Sequence, residues 1–192
     1  MTRSQRYWGL AAVGFVAALA ACSSPSPVLY TIAPVQGVVR SGTPKVIVLQ
    51  QISTAGYLER SQIVRSSENY RLDVMSNDWW GEPLSSMLSR VLIEELGQRL
   101  PQSTVIGESG AVSASPDATI ELNLQRLDED GSGNLVLQAQ ASVSFKGQPA
   151  SVLRSFRFVV TPPAAGIHVE VTAISTAVGQ LADGLASVLV GR

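Results

Sequence analysis

Ala118-Thr119-Ile120-Glu121-Leu122-Asn123-Leu124-Gln125 alternates apolar and polar side chains from Ile120 onward. A strand turns successive side chains to opposite faces, so Ile120, Leu122 and Leu124 share a covered face while Glu121, Asn123 and Gln125 share a wet one. Downstream, Leu135, Leu137, Ala139, Ala141, Val143 and Phe145 repeat the period, and Phe156, Phe158 and Val160 line a third run beside Arg154, Ser155 and Arg157. Gly131-Ser132-Gly133 and Lys146-Gly147-Gln148-Pro149 fill the gaps with turn residues. The region reads as an antiparallel meander of adjacent hairpins, one face of which must be covered.

Two segments offer that cover. Leu84, Leu88, Val91, Leu92 and Leu96 recur at three- and four-residue spacing, with Met87 and Leu100 widening the stripe, which predicts a helix from about Pro83 to Leu100. Pro83 suits the first helical position, where its missing N–H has no intrahelical partner, and Glu82 favours the positive end of the peptide dipoles. Glu94, Glu95, Gln98 and Arg99 fall on the other side of the stripe and read as its solvated side. A second amphipathic helix over Gly166 to Leu189 carries Ile174, Val178, Leu181, Leu185, Val188 and Leu189; Glu170, Gln180 and Asp183 interrupt it, which argues against a membrane span. The expected fold class is α+β, a mainly antiparallel sheet with two amphipathic helices packed against it.

Upstream of the first helix the signals are shorter. Leu29-Tyr30-Thr31-Ile32 and Lys45 to Ile52 read as strands, the latter covered on both faces around Val46-Ile47-Val48-Leu49. Tyr57 to Arg60, Gln62 to Arg65 and Tyr70 to Val74 are short β-prone pieces, with Ser67-Glu68-Asn69 as a hairpin turn. Arg60 and Arg65 read as solvated or paired strand residues before ligand-binding groups. Asp78 to Pro83 reads as punctuation before the helix. Within it, Trp79 and Trp80 have two readings, which need not be shared: a plug between helix and sheet edge, or an exposed anchor for a partner or lipid. Thr104 to Ile106 is a short returning strand, followed by a loop of small residues from Gly107 to Pro116.

The N-terminus decides where these residues work. Arg3 and Arg6 precede an apolar run from Tyr7 to Ala21, which ends Leu19-Ala20-Ala21-Cys22 and is followed by Ser23-Ser24-Pro25-Ser26. The run falls short of the about 20 residues of a membrane span and has the layout of a cleaved bacterial signal ending in a lipobox. Small residues at 20 and 21 fit a peptidase cleft, and the Cys22 thiol is the group on which a diacylglyceryl thioether is built. A second acyl addition at the new amino terminus makes anchoring stable. An ordinary secretory signal with cysteine at its cleavage site is the plainer alternative. The expected organisation is a signal peptide over 1–21, a lipidated N-terminus and tether over 22–29, and a single periplasmic domain over 30–192.

Cys22 is the chain's only cysteine, so its acylation leaves no disulfide framework and no thiol nucleophile. Beyond the signal, 12 of the 14 basic residues and all 15 acidic ones remain, a formal charge of -3 that argues against nucleic acid as a partner. The one histidine, His168, excludes a multi-histidine metal centre. Asp128-Glu129-Asp130 lacks the terminal Glu of a calcium loop and reads as a solvated hairpin tip. No Gly-x-Ser-x-Gly elbow, phosphate-binding glycine loop or His-Glu-x-x-His helix is present, and Lys45 and Lys146 have no recognisable catalytic partner. No catalytic, cofactor-binding or metal site is expected.

Leu29-Tyr30-Thr31-Ile32-Ala33-Pro34, then Tyr57-Leu58-Glu59-Arg60-Ser61-Gln62-Ile63-Val64-Arg65, then Trp80-Gly81-Glu82-Pro83-Leu84 leading into Val91-Leu92-Ile93-Glu94-Glu95-Leu96, occur in order. On these motifs the chain resembles the ABC-type transport auxiliary lipoprotein family, which includes the lipoprotein of the paraquat-inducible intermembrane transport complex. The resemblance places Tyr57, Leu58, Arg60, Gln62, Ile63, Arg65, Trp80, Pro83 and Leu84 on characteristic positions, as marks of fold or assembly. Ser61 stands where the family often has Pro, and Leu29 replaces an aromatic. The resemblance implies a non-enzymatic periplasmic subunit, anchored through Cys22 to the outer membrane and partnered by an MCE-domain transport protein, with a ring-shaped homo-oligomer as its assembly. Ser23 after Cys22 implies sorting to the outer rather than the inner membrane. A lipid-binding or outer-membrane assembly lipoprotein is the alternative.

Overall fold

The computed structural model describes residues 26–42, 44–108, 112 and 114–191; the expected signal peptide, Cys22 and Ser23 lie outside the described residues. In chain order the elements are β1 (Val28–Tyr30), β2 (Val46–Leu49), β3 (Ser53–Thr54), a 3-10 turn (Gly56–Leu58), β4 (Gln62–Ser66), β5 (Asp73–Trp80), α1 (Leu84–Arg99), β6 (Thr104–Gly107), β7 (Ala118–Glu129), β8 (Leu135–Phe145), β9 (Val152–Val160) and α2 (Ile167–Val190).

The alternating stretch that begins at Ala118 is the spine of a sheet that has nine strands among the described residues. β8 pairs antiparallel with β7 along its whole length, and β9 pairs antiparallel with β8. That meander matches the sequence reading. The other edge of β7 is shared end to end by three strands, all parallel to it: Ile47 to Leu49 lie beside Ala118 to Ile120, Ser53-Thr54 beside Asn123-Leu124, and Ser66 beside Glu129. Gln50 and Ala55 carry the connection through kinks by donating backbone N–H groups to Ile120 and Leu124. Beyond this interrupted row, β6 adds parallel to β2, β5 antiparallel to β4, and β1 parallel to β5.

The expectation of a mainly antiparallel sheet is therefore overturned. Five of the eight strand pairings are parallel, and the sheet is mixed. Neighbouring short strands suggest hairpins, but β2, β3 and β4 do not pair with one another. They run onward in one direction beside a strand roughly seventy residues later, and α1 provides the long connection that a parallel β6 requires. Two local expectations change with it. Tyr57 and Leu58 sit in the 3-10 turn rather than a strand, and Asp78 to Trp80 complete β5 instead of ending it.

The helices share one face of the sheet. α1 packs on β6, α2 on β8 and β9, and the two helices touch each other. Ile120, Leu122 and Leu124 meet Leu137, Ala139 and Ala141 beneath them in one continuous core with Leu88, Leu92, Leu96, Ile174, Val178 and Leu181. Glu121, Asn123 and Gln125 face solvent on the uncovered side. A bulge between Leu124 and Arg126 inserts Gln125 as an extra residue, so Leu127 rather than Arg126 takes the next inward position. α2 has the length and composition of a membrane span, yet most of its apolar window is buried inside the fold.

Candidate interface and anchor site

The motif residues Tyr57 to Ile63 and Trp79 to Leu84 converge on one corner, where the 3-10 turn, the start of β4, the end of β5 and the start of α1 meet, while Arg65 lies toward the far end of β4 beside Glu129. Gln62 pairs with Trp79 across the strands, and the Trp80 N–H donates to the Ser61 carbonyl at 2.7 Å. Leu58, Ile63, Trp80 and Leu84 all point into the core. Trp80 is thus the plug between helix and sheet. Trp79 is half-buried, and its indole N–H donates to the Ser76 carbonyl at 3.0 Å, so the two rings have separate environments. Pro83 precedes the first turn of α1 and its carbonyl accepts the N–H groups of Ser86 and Met87. Arg60 is exposed.

Below this corner a charged network ties the turn to β7. The Tyr57 hydroxyl donates to Asp128 at 2.6 Å, and Arg126 donates to Asp128 at 2.8 Å and to Glu68 at 2.6 Å. Burial, with the Asp128 carboxylate beside it, raises the Tyr57 phenol well above its ordinary range. Asp128 is fully buried, so each bond to it satisfies a carboxylate that water cannot reach. On the opposite face of β7, Arg65 pairs with Glu129 at 3.2 Å. Glu170, on the first turn of α2, is 2% exposed, and its Oε1 has no hydrogen-bond partner among the described residues. Burial pushes its carboxyl up to about 8.

A second polar assembly was not legible in the sequence. Arg99, read as a solvated residue of α1, is fully buried. Its guanidinium donates to the Asp183 carboxylate at 2.7 Å and to the carbonyls of Val35, Glu95 and Gly179 at 3.0 to 3.2 Å. Glu95, also read as solvated, accepts the Val35 N–H at 2.7 Å, and burial pushes its carboxyl up to about 7. The Arg40 N–H donates to the Arg99 carbonyl at 2.7 Å. These bonds clamp the extended segment after β1 against both helices. A side chain at Gly37 would collide with the Arg99 guanidinium, which explains why glycine sits there. The only hint was the Arg99–Glu95 spacing, which one-residue-at-a-time polarity assigns to solvent.

Among the depressions lined by the described residues, two differ in character. One of about 580 Å³ opens on the uncovered sheet face and is lined by polar groups including Gln51, Glu121, Asn123, Gln140 and Ser155. The other, about 460 Å³, is a mainly apolar groove between the N-terminal segment and α2, lined by Leu29, Tyr30, Val35, Val171 and His168. Among the described residues no group of three or more His, Cys, Asp or Glu side chains is placed to hold a metal.

The family model for the ABC-type transport auxiliary lipoprotein component matches residues 29–186. The chain belongs to that family. The auxiliary lipoprotein is accordingly a non-enzymatic, transport-associated component, and the matched span includes both the motif corner and the Arg99 clamp. No curated protein matches its sequence. Its fold is similar to that of an uncharacterized protein, with a TM-score of 0.71 at 16% identity over 84% of this chain and 97% of the other. It is also similar to protein XCC0632 from Xanthomonas campestris, with a TM-score of 0.70 at 14% identity over 85% of this chain and 95% of the other. At such identities the likeness shows the fold of the auxiliary lipoprotein alone.

Proposed function

We propose that this auxiliary lipoprotein is an outer-membrane-anchored accessory subunit of an MCE-type intermembrane system that moves phospholipid or another hydrophobic molecule. The family match over residues 29–186 carries the reading. The protein acts by docking and assembly. Acylated Cys22 holds the domain to the periplasmic side of the leaflet, the tether gives it reach, and the folded domain presents an interface to an MCE-domain protein. Tyr57, Arg60, Gln62 and Trp79, at or near the surface of the motif corner, and Arg65, toward the far end of β4, are the proposed contact residues, while Leu58, Ile63, Trp80, Pro83 and Leu84 set the corner's shape. Copies of the chain close into a ring, which avoids open-ended association. The paraquat-inducible complex is one system of this type.

Affinity capture of the intact lipoprotein from membranes, with partner identification and mass measurement, tests the reading. An MCE-domain protein and a multimer of defined copy number are expected. A lone monomer with its anchor intact would overturn the proposal. The apolar groove beside α2 favours the second reading, direct lipid binding, and a bound lipid seen by native mass spectrometry and expelled by Val171→Arg would establish it.

A further inference from the structure

Among the described residues, the most exposed aromatic side chain stands in the β4–β5 turn. Asn69 and Tyr70 both adopt left-handed backbone angles, φ 55° and 61°, and the Tyr70 side chain is fully exposed. Leu72, two residues on, is exposed as well, with Arg71 between them. A left-handed conformation is tolerated by Asn but disfavoured for a bulky aromatic, so Tyr70 is an uncommon choice for the second central position of the turn. The turn itself asks for these angles, since the Arg71 N–H donates to the Glu68 carbonyl at 3.2 Å and a tight hairpin turn of this kind has both central residues left-handed; the Tyr70 side chain points away from the fold.

The position of the N-terminus says what lies there. β1 runs parallel to β5, with Val28 level with Asp78, so the chain before Val28 approaches from the end of the sheet that carries the turn. Cys22 precedes Val28 by six positions, and Leu72 precedes Asp78 by the same interval. That interval spans at most about 20 Å, enough to bring position 22 level with the turn and little farther. We infer that the Tyr70-Arg71-Leu72 tip rests in the interfacial layer of the leaflet that holds the acyl chains of Cys22, fixing the domain's tilt on the membrane. This rests on the proposed lipid anchor. Tyrosine suits that layer because its ring enters the apolar boundary while its hydroxyl stays among headgroups. Arg71 keeps its charge at the headgroups while its stem lies along apolar surface. The neighbouring turn over 130–134 is polar: the Asp130 carboxylate is tied to the Ser132 and Asn134 N–H groups, so the apolar contact centres on Tyr70 and Leu72.

Arg71→Cys in the full lipidated chain, labelled with an environment-sensitive fluorophore, tests this in vesicles of phosphatidylethanolamine and phosphatidylglycerol. Gln148→Cys, at the opposite end of the sheet, is the water-exposed control. The probe at 71 should be quenched by lipid-borne nitroxide and shielded from iodide, and adding Tyr70→Asn with Leu72→Ser should return it to the behaviour of the control. Asn fits the left-handed angle, so the double change leaves the turn intact. A probe at 71 quenched by iodide as strongly as the control overturns the inference, as does one shielded from both quenchers, which would mark a protein contact. Mass spectrometry separates these failures from failure of the anchor: an unacylated Cys22 takes a second label and the protein does not float with the vesicles.

Discussion

Glu170→Gln should make the protein more stable at alkaline pH and flatten its pH profile. Glu170 is 2% exposed and its Oε1 lacks a partner among the described residues. Burial chiefly, then repulsion from Glu129, raises its carboxyl from 4.5 to about 8, against the pull of Arg65 and with Asp128 and Asp73 adding to the rise. Between those two values the native protein keeps a proton that the unfolded chain has lost. Unfolding free energy must therefore fall as pH rises through that window and level off above the native value. At about 1.4 kcal/mol per pH unit, the roughly three and a half units between the two values set a ceiling of about 5 kcal/mol, and local relaxation brings the expected loss to about 2 kcal/mol or somewhat more. Glutamine fills the same space and never ionises. Urea unfolding of the mature chain from about pH 5 to about pH 9 should show the two proteins within about 1 kcal/mol at the acid end and the variant ahead by about 2 kcal/mol or more at the alkaline end. Glu95, pushed up to about 7, titrates in both proteins and cancels in the difference. Parallel profiles, or a variant that is weaker at alkaline pH, would refute the account of Glu170.

Gly37→Ala drives a methyl group onto the fully buried Arg99 guanidinium and should cost about 1–3 kcal/mol of stability, read from the urea midpoint. Tyr57→Phe removes the hydrogen bond to buried Asp128 and should cost about 1–3 kcal/mol; a double-mutant cycle with Arg126→Met should show coupling through that carboxylate. Trp80→Ala empties a core site at a cost of about 3–5 kcal/mol, whereas Trp79→Ala should change thermal stability by only about 1 kcal/mol. If Trp79 belongs to the docking surface, its loss will show in partner capture and leave the melting temperature nearly in place.

Ile120, Leu122 and Leu124 announced their strand because the strand is long and one side of it is wet, and the stripe from Leu84 to Leu96 announced α1 for the equivalent reason. β2, β3 and β4 are four, two and five residues long, and none contains enough periods to state a direction or a partner. Their partner is β7, far along the chain, so their register depends on contacts that no local window holds. Gln125 shows the limit at the scale of one residue: the alternation reads straight through it, while the bulge resets which face Leu127 and Arg126 occupy. At the site, the motifs marked a corner whose apolar members proved to be core. Arg99 and Glu95 were misplaced because polarity was equated with exposure, and what buries them is a segment some sixty residues earlier that offers its own backbone as partner.

The end-to-end row of short strands along β7 also sets an order of events. Within the first half of the chain β4 can pair with β5 and β1 with β5, and β2 finds β6 soon after, but these pieces join into one sheet only when residues 118 to 129 are present. The late arrival of the central strand keeps the early strands from joining into one sheet until about two-thirds of the chain has been made.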